Sequence, residues 1–196
     1  LVDVKYYPLN IIQNFQEILC VENHFKKEEL LTLVENLSSK RLFKATVGEM
    51  VEEESNKKRK SNITFLDFGY DFLYEKLSIA IKHVNSVNYN KILYGIEPLQ
   101  YTEYDSGYEG FYGVHVDVNP DTQFSMRRSL SFSIQLSEPE SYSGGELKIY
   151  YKDKVAVASK KLGDITFFDS SYPHEVTPVT SGIRKSLVGW ILGPRV

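Results

Sequence analysis

The sequence predicts an α+β fold that is mainly β: a sandwich or jelly roll in its second half, buttressed by helices from its first half. Three observations predict it. Helical periodicity is confined to residues before about position 91. From Ile92 onward, short strand-like runs alternate with Gly, Pro, Asn and Asp almost to the end. Aromatic residues, which favour strands, reach 13%, with 14 Tyr and 11 Phe.

In chain order, residues 1–15 carry little pattern, and Glu17 to Val21 reads as a short buried strand. Asn23 is placed to cap a helix running to about Leu37, in which Leu30, Leu33 or Leu31, Val34 and Leu37 recur at helical spacing. His24, at its entrance, has no partner in view. Leu42 to Val47 is a strand candidate. Gly48 to Lys60 sets an acidic block before a basic one and reads as a solvated loop, with a mobile flap over a site as the sharper alternative. Ser61 to Phe68 returns to strand chemistry, and Asp71 can cap a second helix. Its buried stripe is Leu73, Leu77, Ala80, Val84 and Val87, which leaves His83 exposed. Strand-like runs follow at 95–104, 110–117, 128–136, 145–151, 154–158, 164–168, 174–179 and 183–192. At 196 residues this is one domain, with residues 1–91 supporting a core of residues 92–196.

Composition narrows the function classes. A net charge of −3 argues against a nucleic-acid binder. The single cysteine, Cys20, excludes an intrachain disulfide and a cysteine-based metal cage. No apolar run approaches the ~18 residues of a membrane span. The opening LVDVKYY lacks a basic-then-apolar leader and an initiating Met, so the protein reads as soluble and cytoplasmic, with a processed or trimmed start.

The chemistry gathers around Gln100 to Asp117. Residues two apart in a strand share a face, so His115 and Asp117 project together. They make two-thirds of a facial triad of two histidines and one carboxylate, which suits ferrous iron and oxygen activation. His174, opening a later strand, is the remaining candidate for the second histidine. Arg184 follows ten residues on, in an alternating apolar run that ends near Trp190. A buried guanidinium beside a metal site needs an anionic partner, and its planar fork suits a carboxylate held bidentately. That points to a dicarboxylate co-substrate. Two His and one Asp also make a catalytic zinc set, so a zinc hydrolase stays open, as does a jelly-roll module without chemistry.

The ordered pattern is Tyr…Gly…Tyr-x-x-His-x-Asp, a later GGEL, Gly-Asp before a strand, His-x-Val-x-Pro-Val and a distal Arg. It is carried by Tyr104, Gly107, Tyr112, His115, Asp117, Gly144 to Leu147, Gly163-Asp164, His174, Val176, Pro178-Val179 and Arg184. With this set the chain resembles the iron- and 2-oxoglutarate-dependent oxygenases, specifically the prolyl 4-hydroxylase-like group, over about residues 95–193. Two extra residues between Tyr104 and Tyr112 are its departure from them.

The resemblance implies a double-stranded β-helix (jelly roll) holding Fe(II) through His115, Asp117 and His174. It implies 2-oxoglutarate as co-substrate, its far carboxylate on Arg184, with O2 as the second co-substrate and ascorbate as an accessory reductant. Decarboxylation to succinate would be coupled to hydroxylation of a C–H bond, and a carboxylate at Asp117 favours hydroxylation over halogenation. Tyr104 matches a tyrosine that hydrogen-bonds 2-oxoglutarate. Ser133 and Gln135 lie on the strand that lines the co-substrate pocket, although an amphipathic strand with its polar face outward would give the same alternation. Val176, Ser186 and Trp190 complete the expected contacts, with core packing the alternative for Trp190. The leading substrate is a prolyl residue in a peptide or protein; a free amino acid or small metabolite is the alternative.

Overall fold

A computed structural model describes residues 17–48, 50, 52–66, 69–118 and 126–195. Helices α1 (Lys27–Ser38), α2 (Glu52–Lys58) and α3 (Asp71–Val84) are interleaved with strands β1 (Ile18–Val21), β2 (Phe43–Lys44), β3 (Arg59–Lys60) and β4 (Asn62–Phe65). Ten further strands follow: β5 (Gly95–Ile96), β6 (Gln100–Asp105), β7 (Phe111–His115), β8 (Met126–Gln135), β9 (Tyr142–Gly144), β10 (Leu147–Tyr151), β11 (Lys154–Val157), β12 (Ile165–Asp169), β13 (His174–Val176) and β14 (Val179–Pro194). They form two antiparallel sheets. The larger runs β1-β12-β8-β14-β6-β4-β2, with β5 and β9 also on β14, and the smaller runs β11-β10-β13-β7-β3. This is the expected jelly roll with helical support.

The larger sheet is covered on both faces, which explains its composition. One face packs on the helices: Leu30, Leu33 and Leu37 of α1 and Leu73, Leu77 and Val84 of α3 meet Tyr101, Leu130, Phe132, Ile134, Phe167 and Leu187. Alternate residues point towards the smaller sheet, where Tyr104, Leu147, Ile149, Phe168, Val176 and Val179 form a second cluster. A strand buried on both sides cannot present a solvated face. All of Ser129 to Leu136 is therefore buried, and the polar set of β8 points into the lumen between the sheets, not outward to water.

Several local expectations are corrected. The first helix begins four residues later than Asn23, which instead takes a left-handed φ of 54°. Its start is set by Glu29, whose carboxylate accepts the Lys26 N–H at 2.9 Å. His24 does have a partner: its Nε2 lies 2.8 Å from the Lys76 carbonyl oxygen of α3. Glu17 to Val21 forms an edge strand whose Cys20 is exposed. The strand within Leu42 to Val47 shortens to Phe43–Lys44.

From Glu52 to Lys60 the charged segment is not a loop. It folds into α2 and β3, with Glu52, Glu53 and Glu54 in the first turn and Lys57 and Lys58 in the last, the order that the helix dipole favours. Asp71 is the first residue of α3 and Tyr70 its cap. The α3 stripe holds through Val84 but fails at Val87, which is 52% exposed. A wider π turn over Asn85–Tyr89 shifts the phase and buries Asn88 instead. The run 95–104 divides into β5 and β6, β9 joins the set, and the last run lengthens into one sixteen-residue strand that bends at Gly182, where φ is +68°. His83 is exposed as expected. Residues 1–15 and the turn at Pro120 lie outside the described residues. Among those described, no helix is long and apolar enough to cross a membrane.

Candidate active site

His115 ends β7 and His174 opens β13, and the two are directly paired across these strands. Their ring centroids are 4.1 Å apart. Asp117 lies just beyond β7, where its backbone N–H donates to the Ser170 carbonyl at 2.9 Å. The three side chains converge: His115 Nε2 is 3.7 Å from Asp117 Oδ1, and His174 Nε2 is 3.4 Å from Asp117 Oδ2. All three donor atoms lie within 4.8 Å of one another, a group that can hold a metal ion.

The orientation of each imidazole is set by backbone. His115 Nδ1 is 2.9 Å from the Gly113 carbonyl oxygen, and His174 Nδ1 is 2.9 Å from the Tyr172 carbonyl oxygen. A carbonyl can only accept, so each Nδ1 carries the hydrogen and each Nε2 turns its lone pair to the centre. Burial and the neighbouring His174 hold the His115 imidazole down to about 4, so it is neutral near pH 7. Two imidazole Nε2 atoms and one carboxylate on one side of a centre fit Fe(II), with the remaining positions left open. Tyr112 stacks on His115 at 3.5 Å, and the Arg59 guanidinium lies over the Tyr112 ring at 4.5 Å. Phe168 meets His174 edge-on at 4.8 Å.

The triad opens into a cleft of about 310 Å³ between the sheets. Tyr104, Ser133, Val176, Arg184, Ser186 and Trp190 line it, so the structure brings these expected residues together with the triad. Arg184 is only 4% exposed, yet among the described residues no carboxylate forms a salt bridge with it. Its Nη1 donates to Ser186 Oγ at 3.2 Å, and the Tyr142 phenol is a further neighbour. A desolvated, unpaired guanidinium facing a cavity fits an anionic ligand. Gln135 stands apart from the cleft, because its amide donates to Tyr142 Oη at 2.8 Å and to the Ser137 carbonyl.

Sequence reasoning missed several contributors, Arg59, Tyr142 and Phe168 among them. Arg128 stacks on Trp190 at 3.8 Å while Glu97 grips its guanidinium with both oxygens, at 2.7 to 3.1 Å. Strict alternation from Ser129 hides Arg128. The β8–β14 register shifts there, pairing Leu130 with Ile191 and Arg128 with Leu192, so a bulge at Ser129 returns Arg128 to the lumen face. Ser131 and Ser170 were missed as well. Ser131 Oγ donates to Asp117 Oδ2 at 2.7 Å and lies 2.9 Å from Ser170 Oγ. Their signal was a serine-rich strand whose polar face has no water to meet.

Residues 99–192 match the profile of the 2OG-Fe(II) oxygenase superfamily. Through this region, just under half of its length, the chain is similar to that superfamily. Among curated relatives of these oxygenases, a PKHD-type hydroxylase of Hyphomonas neptunium is 44% identical over 89 residues, covering 44% of this chain and 39% of the relative. Another, from Acidovorax ebreus, is 39% identical over 100 residues, covering 49% and 43%. The matched region thus spans about two fifths of the length of these relatives.

Among solved structures, a Pseudomonas putida prolyl-4-hydroxylase aligns with a TM-score of 0.71 at 20% identity, over 90% of this chain and 92% of that one. A Trichoplax adhaerens prolyl hydroxylase, solved with a hypoxia inducible factor peptide fragment, aligns at 0.72 and 20%, over 89% and 83%. These likenesses establish a shared fold. The superfamily and the His-Asp-His donor set together imply Fe(II) and 2-oxoglutarate.

Proposed function

We propose that residues 1–196 form one oxygenase domain that hydroxylates a prolyl residue in a peptide or protein, using 2-oxoglutarate and O2. One observation carries this reading. A single cleft holds the convergent His115, Asp117 and His174 on one wall and the buried, carboxylate-free Arg184 on another. A zinc hydrolase would need the first and leave the second without a task.

When bound, Fe(II) with 2-oxoglutarate and O2 supplies the oxidative decarboxylation and the hydroxylation of a C–H bond. The residues of this chain bind, orient and shield. His115 and His174 present Nε2 lone pairs held in place by their Nδ1–H bonds to backbone. Arg184 takes the distal carboxylate, with Ser186 fixing its guanidinium and Tyr104 and Tyr142 beside it. Phe168, Leu147 and Val176 give the cleft an apolar floor that limits water. Tyr112, Arg59, Arg128 and Trp190 wall the cleft and offer stacking faces and N–H donors to a substrate. The peptide assignment draws support from the likeness to prolyl hydroxylases, one of them solved with a peptide fragment.

The test has two stages. Anaerobic addition of Fe(II) and 2-oxoglutarate gives a weak visible charge-transfer band that Zn(II) does not give; its absence in folded protein rejects the oxygenase reading. Mass spectrometry then finds a 2-oxoglutarate-dependent gain of one oxygen on proline-containing peptides. Gain on free amino acids alone moves the substrate to small molecules.

A further inference from the structure

We infer that Ser131 and Ser170 form a hydroxyl relay that holds one oxygen of Asp117, leaving the other as its single metal-binding atom. This rests on the reading of His115, Asp117 and His174 as a metal centre. Both serines are fully buried, at 0% exposure, and Asp117 is 8% exposed, so no bulk water competes for these bonds.

Proton direction in the relay follows from the inventory of donors. An ionised carboxylate only accepts, so Ser131 spends its one hydroxyl hydrogen on Asp117 Oδ2 at 2.7 Å. The 2.9 Å contact between the two serine oxygens must then be donated by Ser170. Both hydrogens point towards the carboxylate, an arrangement in which each bond polarises and strengthens the next. Ser170 also grips the same residue through its backbone: its carbonyl accepts the Asp117 N–H at 2.9 Å and the Val118 N–H at 3.2 Å. Asp117 lies past the end of β7, outside the ladder that fixes His115, so these contacts replace the strand as its support.

The consequence is a choice between the two carboxylate oxygens. Oδ2 lies 3.4 Å from His174 Nε2 but already carries the short hydrogen bond from Ser131, whereas among the described residues no hydrogen bond engages Oδ1, 3.7 Å from His115 Nε2. Ser131 therefore disfavours chelation by both oxygens, which would take a coordination position needed for co-substrate. Ser131 and Ser170 touch neither the metal donors of the histidines nor the cleft surface, so they are positioning residues.

The test is titration of the metal-free full chain with Co(II), read by its visible d–d bands, which report both affinity and coordination number. Ser131→Ala is expected to weaken Co(II) binding by roughly tenfold to a hundredfold, the usual effect of removing a partner that orients a ligand. Its band shape should move towards a higher coordination number as the freed oxygen joins. Ser131→Cys, which keeps a weak donor at nearly the same size, recovers part of the affinity. Ser170→Ala retains the backbone carbonyl and is expected to cost less than Ser131→Ala. Because it removes only a hydroxyl, it serves as the informative variant if Ser131→Ala does not fold. Wild-type affinity and wild-type bands in every folded variant overturn the relay. If the unsubstituted chain itself binds no Co(II), the metal-centre reading fails first, a result separable from the variant comparison.

Discussion

Tyr104 and Arg184 are directly paired across β6 and β14, and the guanidinium carbon stands 5.6 Å from the centre of the tyrosine ring. The ring face offers the cation partial compensation and fixes its direction, without neutralising it. Arg184→Ala is therefore expected to weaken 2-oxoglutarate binding by about 2–5 kcal/mol, the range for losing one partner of a buried charge pair. Metal affinity should change little. Separate titrations with Co(II) and with 2-oxoglutarate decide it, and parallel loss of both would make Arg184 a structural residue. Tyr104→Phe keeps the ring face and should cost far less.

The helix over 52–58 predicts a separation of another kind. Arg59 and Gly48, which flank it, line the cleft, while β3 pairs with β7 three residues before His115. Deleting 48–60 whole would damage the metal strand as well as the wall. Replacing only Glu52–Lys58 with a short Gly-Ser linker should leave the charge-transfer band intact and raise the KM for peptide several-fold. An unchanged KM would remove this segment from substrate binding.

Gly189 packs its α-carbon against the core under the cleft. A methyl group there would meet Phe132 Cζ at 2.3 Å and Leu99 Cδ2 at 2.7 Å. Gly189→Ala is expected to cost roughly 1–3 kcal/mol through overpacking, read as a lower urea midpoint. Unchanged stability would mean that the two side chains retreat freely.

Cys20 is the sole thiol, and although the residue is exposed, partial desolvation of its sulfur together with the Asp164 carboxylate 3.7 Å away pushes it up to about 11. The thiolate is the reactive form, and a raised value keeps it scarce at neutral pH. Alkylation by iodoacetamide at pH 8 should run roughly tenfold or more slower than for an unperturbed thiol, and rise steadily with pH up to about 10. A plateau near pH 8 would contradict this. Asp164→Asn should speed the reaction at pH 8, since it removes the charge that opposes ionisation.

What the sequence made legible was whatever depends on local period. His115 and Asp117 share a face because strands repeat every two residues, and Leu73, Leu77 and Ala80 share one because helices repeat every 3.6. What stayed hidden depends on where an irregularity falls or on which strands become neighbours. The π turn after Val84 exposes Val87, and the bulge at Ser129 turns Arg128 inward; neither leaves a mark in composition. Ser131 and Ser170 reach Asp117 only because β8 and β12 lie side by side in the larger sheet. The 52–58 helix was legible in principle, since acids before bases is the order a helix dipole favours, but the same order suits a solvated loop.

The sixteen-residue β14 carries Arg184, Ser186 and Trp190 on one face and pairs with β6, β8, β5 and β9. The proposed co-substrate anchor and one wall of the cleft therefore share a single rigid rail, locked by four neighbours. The opposite wall hangs from β3, which is joined to β7 through two residue pairs. New substrate preferences are cheapest to acquire on that lightly tethered side, because a change along the rail would detune the co-substrate at the same stroke. Divergence among close relatives of this chain should accordingly concentrate in α2 and β3 and spare the rail.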